Sequence, residues 1–166
     1  VLLLERERFP RDHIGESLLP ASIPVLEELG VLPAVQEAGF LRKWGATMVW
    51  GTDRTPWSWY FRETNQQYPH SYQVWRPQFD QLLLDNSRAH GVEVREGHQV
   101  VDVLFEDGRA CGVRYTADGA TGIARARFVV DASGQGALLG HKLQLRRWDA
   151  FFQNLAVYGY FTGAQR

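Results

Sequence analysis

The sequence predicts an α/β fold in which helices and a three-stranded β-meander accompany a parallel sheet. The branched apolar run at residues 1–5 ends in an acid, which is typical of a buried strand. Residues 77–90 have the apolar spacing of an amphipathic helix, with proline in the first turn and glycine just past the end. Asp-Gly turns at 107–108 and 118–119 separate three further strands. This order indicates a parallel sheet with a meander crossover.

Local signals predict the other elements in chain order. Residues 18–29 and 32–38 are predicted helices that end at glycines, and Ser17 is a candidate N-cap for the first. Pro20 and Pro24 indicate that this helix has an irregular first turn or starts later. The predicted strands are a hairpin over 47–61, short strands at 72–75 and 92–95, the meander at 99–105, 110–115 and 123–128, a buried strand at 128–131 and an aromatic strand at 151–161.

Composition excludes several classes of protein. With 45% hydrophobic and 22% charged residues among 166, the chain has the balance of a soluble globular protein rather than a disordered or fibrous one. The net charge of -1 gives no support to nucleic-acid binding, and no apolar run is long enough to cross a bilayer. Cys111 is the single cysteine, which excludes an internal disulfide and favours a cytoplasmic location. The five histidines are scattered, so no metal site is predicted.

The ends of the sequence also carry an expectation. The first residue is Val, and the chain starts and ends in predicted strands. We therefore expect it to be part of a longer protein, incomplete at both ends.

The hairpin over residues 47–61 is unusually rich in aromatic side chains. They are Trp50, Trp57, Trp59, Tyr60 and Phe61. One interpretation is a packed sheet face, since aromatic residues favour protein cores. The other is the wall of a pocket for a flat substrate.

Three features predict contact with a nucleotide, and each has a plainer alternative. Glu5 ends a buried strand, where dinucleotide-binding folds place the acid that binds ribose hydroxyls, although it could be a solvated strand end. The Asp131-Ala132-Ser133-Gly134 turn has small residues that let a ligand approach the backbone, as any tight turn would. Arg76 opens a helix and could pair with a phosphate or with a surface carboxylate.

Together these pieces resemble the FAD domain of the flavoprotein monooxygenase superfamily, with its glutathione-reductase-like, Rossmann-type fold. The matching runs lie at residues 3–6, 74–83 and 128–134, in the order and spacing typical of that family. A narrower resemblance is to flavin-dependent halogenases. It rests on residues 9–20 (Phe-Pro-Arg-Asp-His-Ile-Gly-Glu-Ser-Leu-Leu-Pro), on residues 40–47 (Phe-Leu-Arg-Lys-Trp-Gly-Ala-Thr) followed by Trp50-Gly51, and on residues 152–161. The branch that it resembles most acts on phenolic or pyrrolic substrates, often tethered to a carrier protein, rather than on free tryptophan.

The resemblance implies a reaction. In this family FAD, reduced by a separate flavin reductase, reacts with dioxygen to give a flavin hydroperoxide, and chloride or bromide then yields hypohalous acid. A lysine activates the halogen for an electron-rich aromatic ring, by hydrogen bonding or as a haloamine. Lys43 matches that lysine. Without the resemblance, Lys43 would be interpreted as a surface lysine after a short helix.

The resemblance also implies cofactor contacts and a domain division. The residues expected to contact FAD are Glu5, Arg6, Gly15, Glu16, Ser17, Arg76, Val100, Asp131, Ala132 and Gly134. Glu16 could instead hold its own turn through backbone amides. Residues 1–42 and 76–141 are expected to form the FAD-binding domain, without its N-terminal Gly-rich loop. Residues 43–75 and 142–166 are expected to belong to a mixed-sheet substrate-binding layer.

Two other functions stay open at this point. A FAD-dependent aromatic hydroxylase, or another flavoprotein oxidoreductase of the superfamily, would share Glu5, Arg76 and the turn at Asp131 without needing Lys43. A flavin-binding fragment without catalysis is the third possibility, because the expected Gly-rich phosphate cradle lies outside the sequence.

Overall fold

The computed structural model describes residues 1–155, 157–159 and 162–163. It contains two compact units. The first comprises Val1–Val100 and Tyr115–Gly122, and the second comprises the described residues of Val101–Arg114 and Ile123–Arg166. The division into a FAD-binding domain and a substrate-binding layer, which has other boundaries, stays a prediction.

Secondary structure follows most of the predicted order. Four helices and nine strands are present among the described residues. They are β1 (Leu2–Glu5), α1 (Ser22–Glu28), α2 (Leu32–Glu37), β2 (Leu41–Lys43), β3 (Gly45–Met48), β4 (Trp57–Tyr60), β5 (Ser71–Gln73), α3 (Arg76–Ala89), β6 (Glu93–Glu96), β7 (Gln99–Glu106), β8 (Arg109–Ala117), β9 (Ala120–Arg125) and α4 (Leu138–Lys142). None of these helices has the length and apolar character that crossing a membrane requires.

One part of the first unit consists of a parallel strand pair and the helix that precedes its second strand along the chain. β1 and β6 pair in parallel, from Leu2 opposite Glu93 to Glu5 opposite Glu96. Helix α3 precedes β6. Gly91 follows its C-cap residue His90 and terminates the helix, with a φ of 79° in the left-handed conformation that glycine adopts readily. The amide of Val92 then donates to the carbonyl of Ser87 at 3.1 Å, which closes a Schellman motif. The predicted parallel strands and this helix are therefore confirmed.

The core of the first unit lies among α1, α2, α3 and β5. Its buried side chains are Ile23, Leu26, Val31, Val35, Tyr72, Val74 and Phe79. Helix α1 begins at Ser22 rather than at residue 18, because Pro20 and its neighbours cannot continue the helical hydrogen bonds backwards. The prediction that Ser17 caps this helix is wrong, since the N-cap position is Ala21 and no side chain caps it.

Two short antiparallel pairs follow the helices. β2 pairs with β5, and the aromatic hairpin consists of β3 paired with β4, as its sequence predicts. Gly45 is required in this hairpin, because a Cβ atom there would stand 2.2 Å from the carbonyl oxygen of Trp59.

The β-meander has the predicted strand order, β7-β8-β9. Its turns contain Asp107 and Asp118, each with a φ of 49° and each followed by a glycine with positive φ. These left-handed pairs are the conformation that Asp-Gly hairpin turns favour.

Two predicted strands in the second unit are not formed. Residues 128–131 form no strand, and the side chains of Phe128 and Val130 are 80% and 87% exposed. The apolar run at residues 128–130 meets the sequence criterion for a buried strand, but no strand among the described residues pairs with it in a ladder. The described residues of 151–161 also form no strand, whereas Ala156, Tyr160 and Phe161 lie outside the described part.

Candidate active site

Lys43, at the end of β2, is held by two loop oxygens and an aromatic ring. Its Nζ atom donates to Ser17 Oγ at 2.5 Å and to the carbonyl of Leu18 at 2.9 Å. The same nitrogen lies 5.3 Å from the centre of the Phe61 ring, which is 1% exposed. A lysine ammonium has three N–H donors, so one remains for a ligand beside these contacts. Lys43 is therefore half-buried and ordered rather than a free surface lysine.

Strand β5 explains how Lys43 reaches Ser17. On one side of β5, Lys43 of β2 lies directly opposite Ser71. On the other side, Ser17 forms a bridge with Gln73, and the amide of Leu18 donates to the carbonyl of Tyr72 at 3.0 Å. Strand β5 thus separates the two residues, and the lysine side chain crosses it to reach the loop.

The position under the lysine side chain is occupied by a small residue. Ser71 is directly opposite Lys43 in the antiparallel pair, so the two side chains are on the same face. Ser71 is 0% exposed, and its Oγ has no hydrogen-bond partner among the described residues. A larger side chain there would occupy the path of the Lys43 side chain.

The electrostatic surroundings of Lys43 contain no ion pair. Burial lowers the pKa of Lys43 below its ordinary value. No carboxylate oxygen lies within 4.0 Å of its Nζ among the described residues, and its two hydrogen-bond acceptors are uncharged. Lys142, in the second unit, instead donates to the carboxylate of Asp102 and to the carbonyl of Val103. Of the two lysines, Lys43 is the one that can lose a proton without breaking an ion pair.

The loop before Ser17 is fixed to the start of α3 by a network of charges. Asp80, which is 8% exposed, accepts from Arg76 Nε at 2.8 Å, from Arg76 Nη2 at 2.9 Å and from Arg11 Nη1 at 2.9 Å. Arg76 Nη1 also donates to the carbonyls of Ile14 at 2.6 Å and Gly15 at 3.4 Å. Arg11 pairs in addition with Glu7 at 3.1 Å. Arg76 therefore positions the loop, and these bonds leave one N–H of its Nη2 for a phosphate.

Gly15 and Glu16 form the tip of this loop, where Gly15 is exposed and Glu16 is half-buried. Gly15 has a φ of 111°, and a Cβ atom there would stand 3.0 Å from Arg76 Nη1. The Arg76 guanidinium thus occupies the side of Gly15 where a side chain would stand, and the glycine itself adds no side chain on its other side. The carboxylate of Glu16 accepts from the amide of Gly15 at 3.2 Å, which is the turn-holding contact given above as the alternative for Glu16.

Glu5, Arg6 and Val100 are the other predicted cofactor residues of the first unit. Glu5 ends β1 in the parallel pair, and its Oε1 accepts from the amide of Glu7 at 2.9 Å. Its Oε2 has no partner among the described residues, so the carboxylate has an acceptor available for a hydroxyl. Arg6 is exposed and pairs with Glu7 at 3.3 Å, and Val100 is half-buried in β7. These observations leave the assigned roles as predictions.

The turn at Asp131 belongs to the second unit. Asp131 accepts from the side chain and the amide of Ser133 at 2.5 and 3.0 Å, and from the amide of Leu139 at 2.8 Å. These hydrogen bonds lower the pKa of Asp131, the one from the Ser133 hydroxyl most strongly. Asp131 thus caps the first turn of α4. Ala132 and Gly134 are exposed, and the FAD contacts expected of all three residues stay predictions.

Sequence reasoning missed three buried polar side chains, which lie on β5 and on the residue before it. His70 Nδ1, Ser71 Oγ and Tyr72 Oη are buried and have no hydrogen-bond partner among the described residues. The ring of His70 lies between Trp44 and Tyr72, with centroids 5.2 and 5.6 Å away. Burial, and then the charge of Arg42, lower the pKa of His70. No sequence motif marks these residues, because their burial depends on the pairing of β5 on both sides.

The aromatic hairpin has a packed part and an exposed part, and its role as a substrate pocket stays a prediction. Phe61 is buried and contacts Trp59 edge-on at 5.3 Å, as in a packed face. Trp50 and Trp57 are 80% and 60% exposed and line a shallow pocket with Met48, Asp53 and Thr55.

Comparison with known proteins identifies relatives. Residues 37–141 match the family model described as FAD dependent oxidoreductase. A tryptophan 2-halogenase from Chondromyces crocatus is 36% identical over 167 residues, which are 99% of this chain and 31% of that protein. A 1H-pyrrole-2-carbonyl-(peptidyl-carrier protein) chlorinase from Pseudomonas fluorescens is 32% identical over 182 residues, 99% of this chain and 40% of that protein. The chain thus spans about a third of the length of these curated relatives.

Solved structures give the same relationship. The myxobacterial chondrochloren halogenase CndH matches with a TM-score of 0.74 and 51% identity, over 79% of this chain and 31% of that chain. The flavin-dependent halogenase CmlS matches with a TM-score of 0.82 and 34% identity, over 90% of this chain and 27% of that chain. A flavoprotein/dehydrogenase from Cytophaga hutchinsonii has a TM-score of 0.81 and 32% identity, over 90% and 37%. The predicted Rossmann-type α/β fold and the resemblance to flavin-dependent halogenases are confirmed.

Proposed function

Since the chain belongs to the FAD-dependent oxidoreductase family, we propose that it halogenates an electron-rich aromatic ring with FAD as cofactor. The observation that carries this proposal is a hydrogen-bonded contact between the two segments whose sequences resemble those of halogenases. Lys43, from one segment, donates to Ser17 and to the carbonyl of Leu18, from the other. Such a contact places an amine beside the loop that is expected to face the flavin.

The residues of the first unit fit FAD. Glu5 has a carboxylate oxygen available at the end of a parallel strand, where a ribose hydroxyl would bind. Gly15 is exposed and has no side chain of its own, so a flat ring would approach the backbone on the side away from Arg76. When bound and reduced, FAD would supply two electrons that reduce dioxygen to the peroxide level, and the peroxide oxygen would oxidise chloride or bromide to hypohalous acid.

Lys43 then acts on the halogen. Its remaining N–H can donate to the oxygen of hypohalous acid, which increases the positive character of the halogen. A carbon of the aromatic ring attacks that halogen, so the carbon–halogen bond forms and the oxygen–halogen bond breaks, and the hydroxide that leaves takes up the ring proton as water. Alternatively, the neutral amine attacks the halogen first and forms a nitrogen–halogen bond, and the hydroxide leaves with an amine proton as water. The uncharged surroundings and lowered pKa of Lys43 support that route equally.

The proposal extends to the substrate and to partners. The chlorinase relative is named for a pyrrole carried by a peptidyl carrier protein, and so is a brominase from Pseudoalteromonas luteoviolacea that is 33% identical. These names support a pyrrolic substrate tethered to a carrier protein, whereas the name of the first relative supports tryptophan. A phenolic substrate rests on the sequence resemblance alone. A separate flavin reductase would supply reduced FAD. The low cysteine content supports a cytoplasmic location.

An aromatic hydroxylase, or another flavoprotein oxidoreductase that does not halogenate, is the second candidate function. The similarity to a protein named as a flavoprotein/dehydrogenase, with a TM-score of 0.81, supports the second of these. Such an enzyme would use Glu5 and Arg76 without requiring the amine of Lys43.

Product analysis with the full-length protein tests the two functions. The protein is supplied with FAD, a flavin reductase, chloride or bromide, and phenols, pyrroles and tryptophan, with the phenols and pyrroles both free and carrier-bound. Mass spectrometry is expected to detect the halogen isotope pattern, and Lys43→Ala is expected to abolish it while FAD stays bound. Arg42→Ala, which removes the exposed neighbouring cation, is the matched control. Hydroxylated product without halogenation would refute the proposed reaction, and halogenation that survives Lys43→Ala would refute the role of Lys43 in it.

A further inference from the structure

The loop that carries Ser17 is part of the same short sheet as Lys43. The amide of Val74 donates to the carbonyl of Glu16 at 2.8 Å, and that of Leu18 to the carbonyl of Tyr72 at 3.0 Å. Residues 16–18 are thus fixed along one side of β5 by their backbone, while β2 lies along the other side. The position of the Ser17 side chain is set by this pairing before any ligand binds.

The side chain of Lys43 spans the width of β5. Neighbouring strands lie about 4.8 Å apart, so only a long, extended side chain can reach from β2 to the far side of β5. The buried Ser71 lies beneath it, and the Phe61 ring is 5.3 Å from its nitrogen. Ser17 Oγ and the Leu18 carbonyl are the two acceptors at the end of this path.

We propose that Ser17 is the positioning residue for Lys43: its hydroxyl, with the Leu18 carbonyl, fixes the amine at one point above the Phe61 ring. This inference rests on the proposed function, and it assigns the Ser17 side chain to the lysine rather than to the flavin. The backbone carbonyl of Leu18 is fixed by the fold, so the Ser17 hydroxyl is the one of the two acceptors that a substitution can remove.

The chemistry of the Ser17 hydroxyl suits an amine that must act on an electrophilic halogen. A hydroxyl accepts a hydrogen bond from the ammonium and donates one to the neutral amine, so Ser17 can hold both protonation states. A carboxylate would accept only and would stabilise the charged form. Lys142, paired with Asp102, has that second arrangement and gives an internal comparison.

Chemical labelling measures the position of the amine independently of catalysis. The full-length protein with FAD is treated with a trace of acetic anhydride at neutral pH, and acetylation of Lys43 is measured by peptide mass spectrometry relative to Lys142. In Ser17→Ala the Lys43 amine loses one acceptor, so its acetylation is expected to rise several-fold. Ser17→Thr, which retains a hydroxyl, is expected to restore the original rate. Ser87→Ala is the matched control, because it removes another hydroxyl-to-carbonyl hydrogen bond, to Leu83 at 3.0 Å.

Kinetics provide the second readout. In Ser17→Ala the kcat of halogenation is expected to fall about tenfold to a hundredfold, the effect of one lost hydrogen bond to a charged group, while KM for the aromatic substrate stays unchanged. Ser17→Cys keeps the size of the side chain and weakens the acceptor, so it is expected to change both readouts in the same direction.

The outcomes separate this inference from the function on which it rests. If Ser17→Ala and Ser17→Cys leave both the acetylation of Lys43 and kcat as in Ser87→Ala, the inference is overturned. Weaker FAD binding with unchanged acetylation of Lys43 would also overturn it, since Ser17 would then serve the cofactor. Altered acetylation of Lys43 in a protein that makes no halogenated product would support the positioning and refute the proposed function.

Discussion

Replacing Asp80 by asparagine is expected to be among the most damaging single changes of charge in the first unit. The carboxylate is 8% exposed and accepts three hydrogen bonds, two from Arg76 and one from Arg11. Asp80→Asn removes the negative charge between two arginines and turns an N–H donor toward their own donors. Removing one partner of a buried ion pair costs about 3–5 kcal/mol.

The magnitude is reduced by partial solvent access. The side chains of Arg11 and Arg76 are 20% and 18% exposed, so water screens part of the repulsion that the substitution leaves. We therefore expect Asp80→Asn to lower the free energy of unfolding by about 3 kcal/mol, at the lower end of that range. For a chain of this size, that corresponds to a fall in Tm of roughly 6–12 °C.

Denaturant unfolding, followed by circular dichroism, measures this loss directly. Asp85→Asn is the matched control, because Asp85 lies on the same helix and pairs with Arg88 at 2.7 Å but is 55% exposed. An exposed pair contributes only about 0–1 kcal/mol. If Asp80→Asn costs no more than Asp85→Asn, the buried network does not hold the Gly15 loop in the way described.

Three further predictions follow from single contacts. Tyr72→Phe removes a buried hydroxyl that has no partner among the described residues, so we expect the free energy of unfolding to stay unchanged or rise by about 1 kcal/mol; a clear loss in denaturant unfolding would contradict this. Gly45→Ala places a Cβ atom 2.2 Å from the carbonyl oxygen of Trp59 and is expected to cost about 1–3 kcal/mol, whereas Gly136→Ala, with no atom nearer than 3.5 Å, should cost less in the same assay. The pKa of Asp131 is lowered in the folded protein, so its contribution to stability is present above the unfolded pKa of about 3.9 and is lost as pH falls through the lower folded pKa. Asp131→Asn should flatten the decline of Tm below about pH 4, and a parallel decline in both proteins would refute this.

Elements with local signals could be predicted from the sequence. Helix α3 has a proline in its first turn and a glycine that closes a Schellman motif, and both signals lie within the segment itself. The β-meander is predicted equally well, because Asp-Gly pairs specify its turns. In each case a few consecutive residues contain the whole physical cause.

Elements that depend on distant partners could not be predicted in this way. The run at residues 128–131 satisfies the pattern of a buried strand, but a strand also needs a neighbour, which the pattern does not specify. Ser17 was predicted as a helix cap from its position before an apolar stretch. Its actual contact is with Lys43, 26 residues away, and requires β5 to lie between them.

The crossing of β5 by Lys43 has a consequence for the energetics of the proposed halogenation. A lysine side chain has about 2 kcal/mol of rotamer entropy, which a mobile surface lysine would lose when it engages its target. In this chain the restriction occurs when β2, β5 and residues 16–18 assemble, since Ser17, Leu18 and Phe61 already confine the amine. Folding, rather than the arrival of substrate, thus orders the amine, which would preorganise it for the electrophile of the proposed reaction.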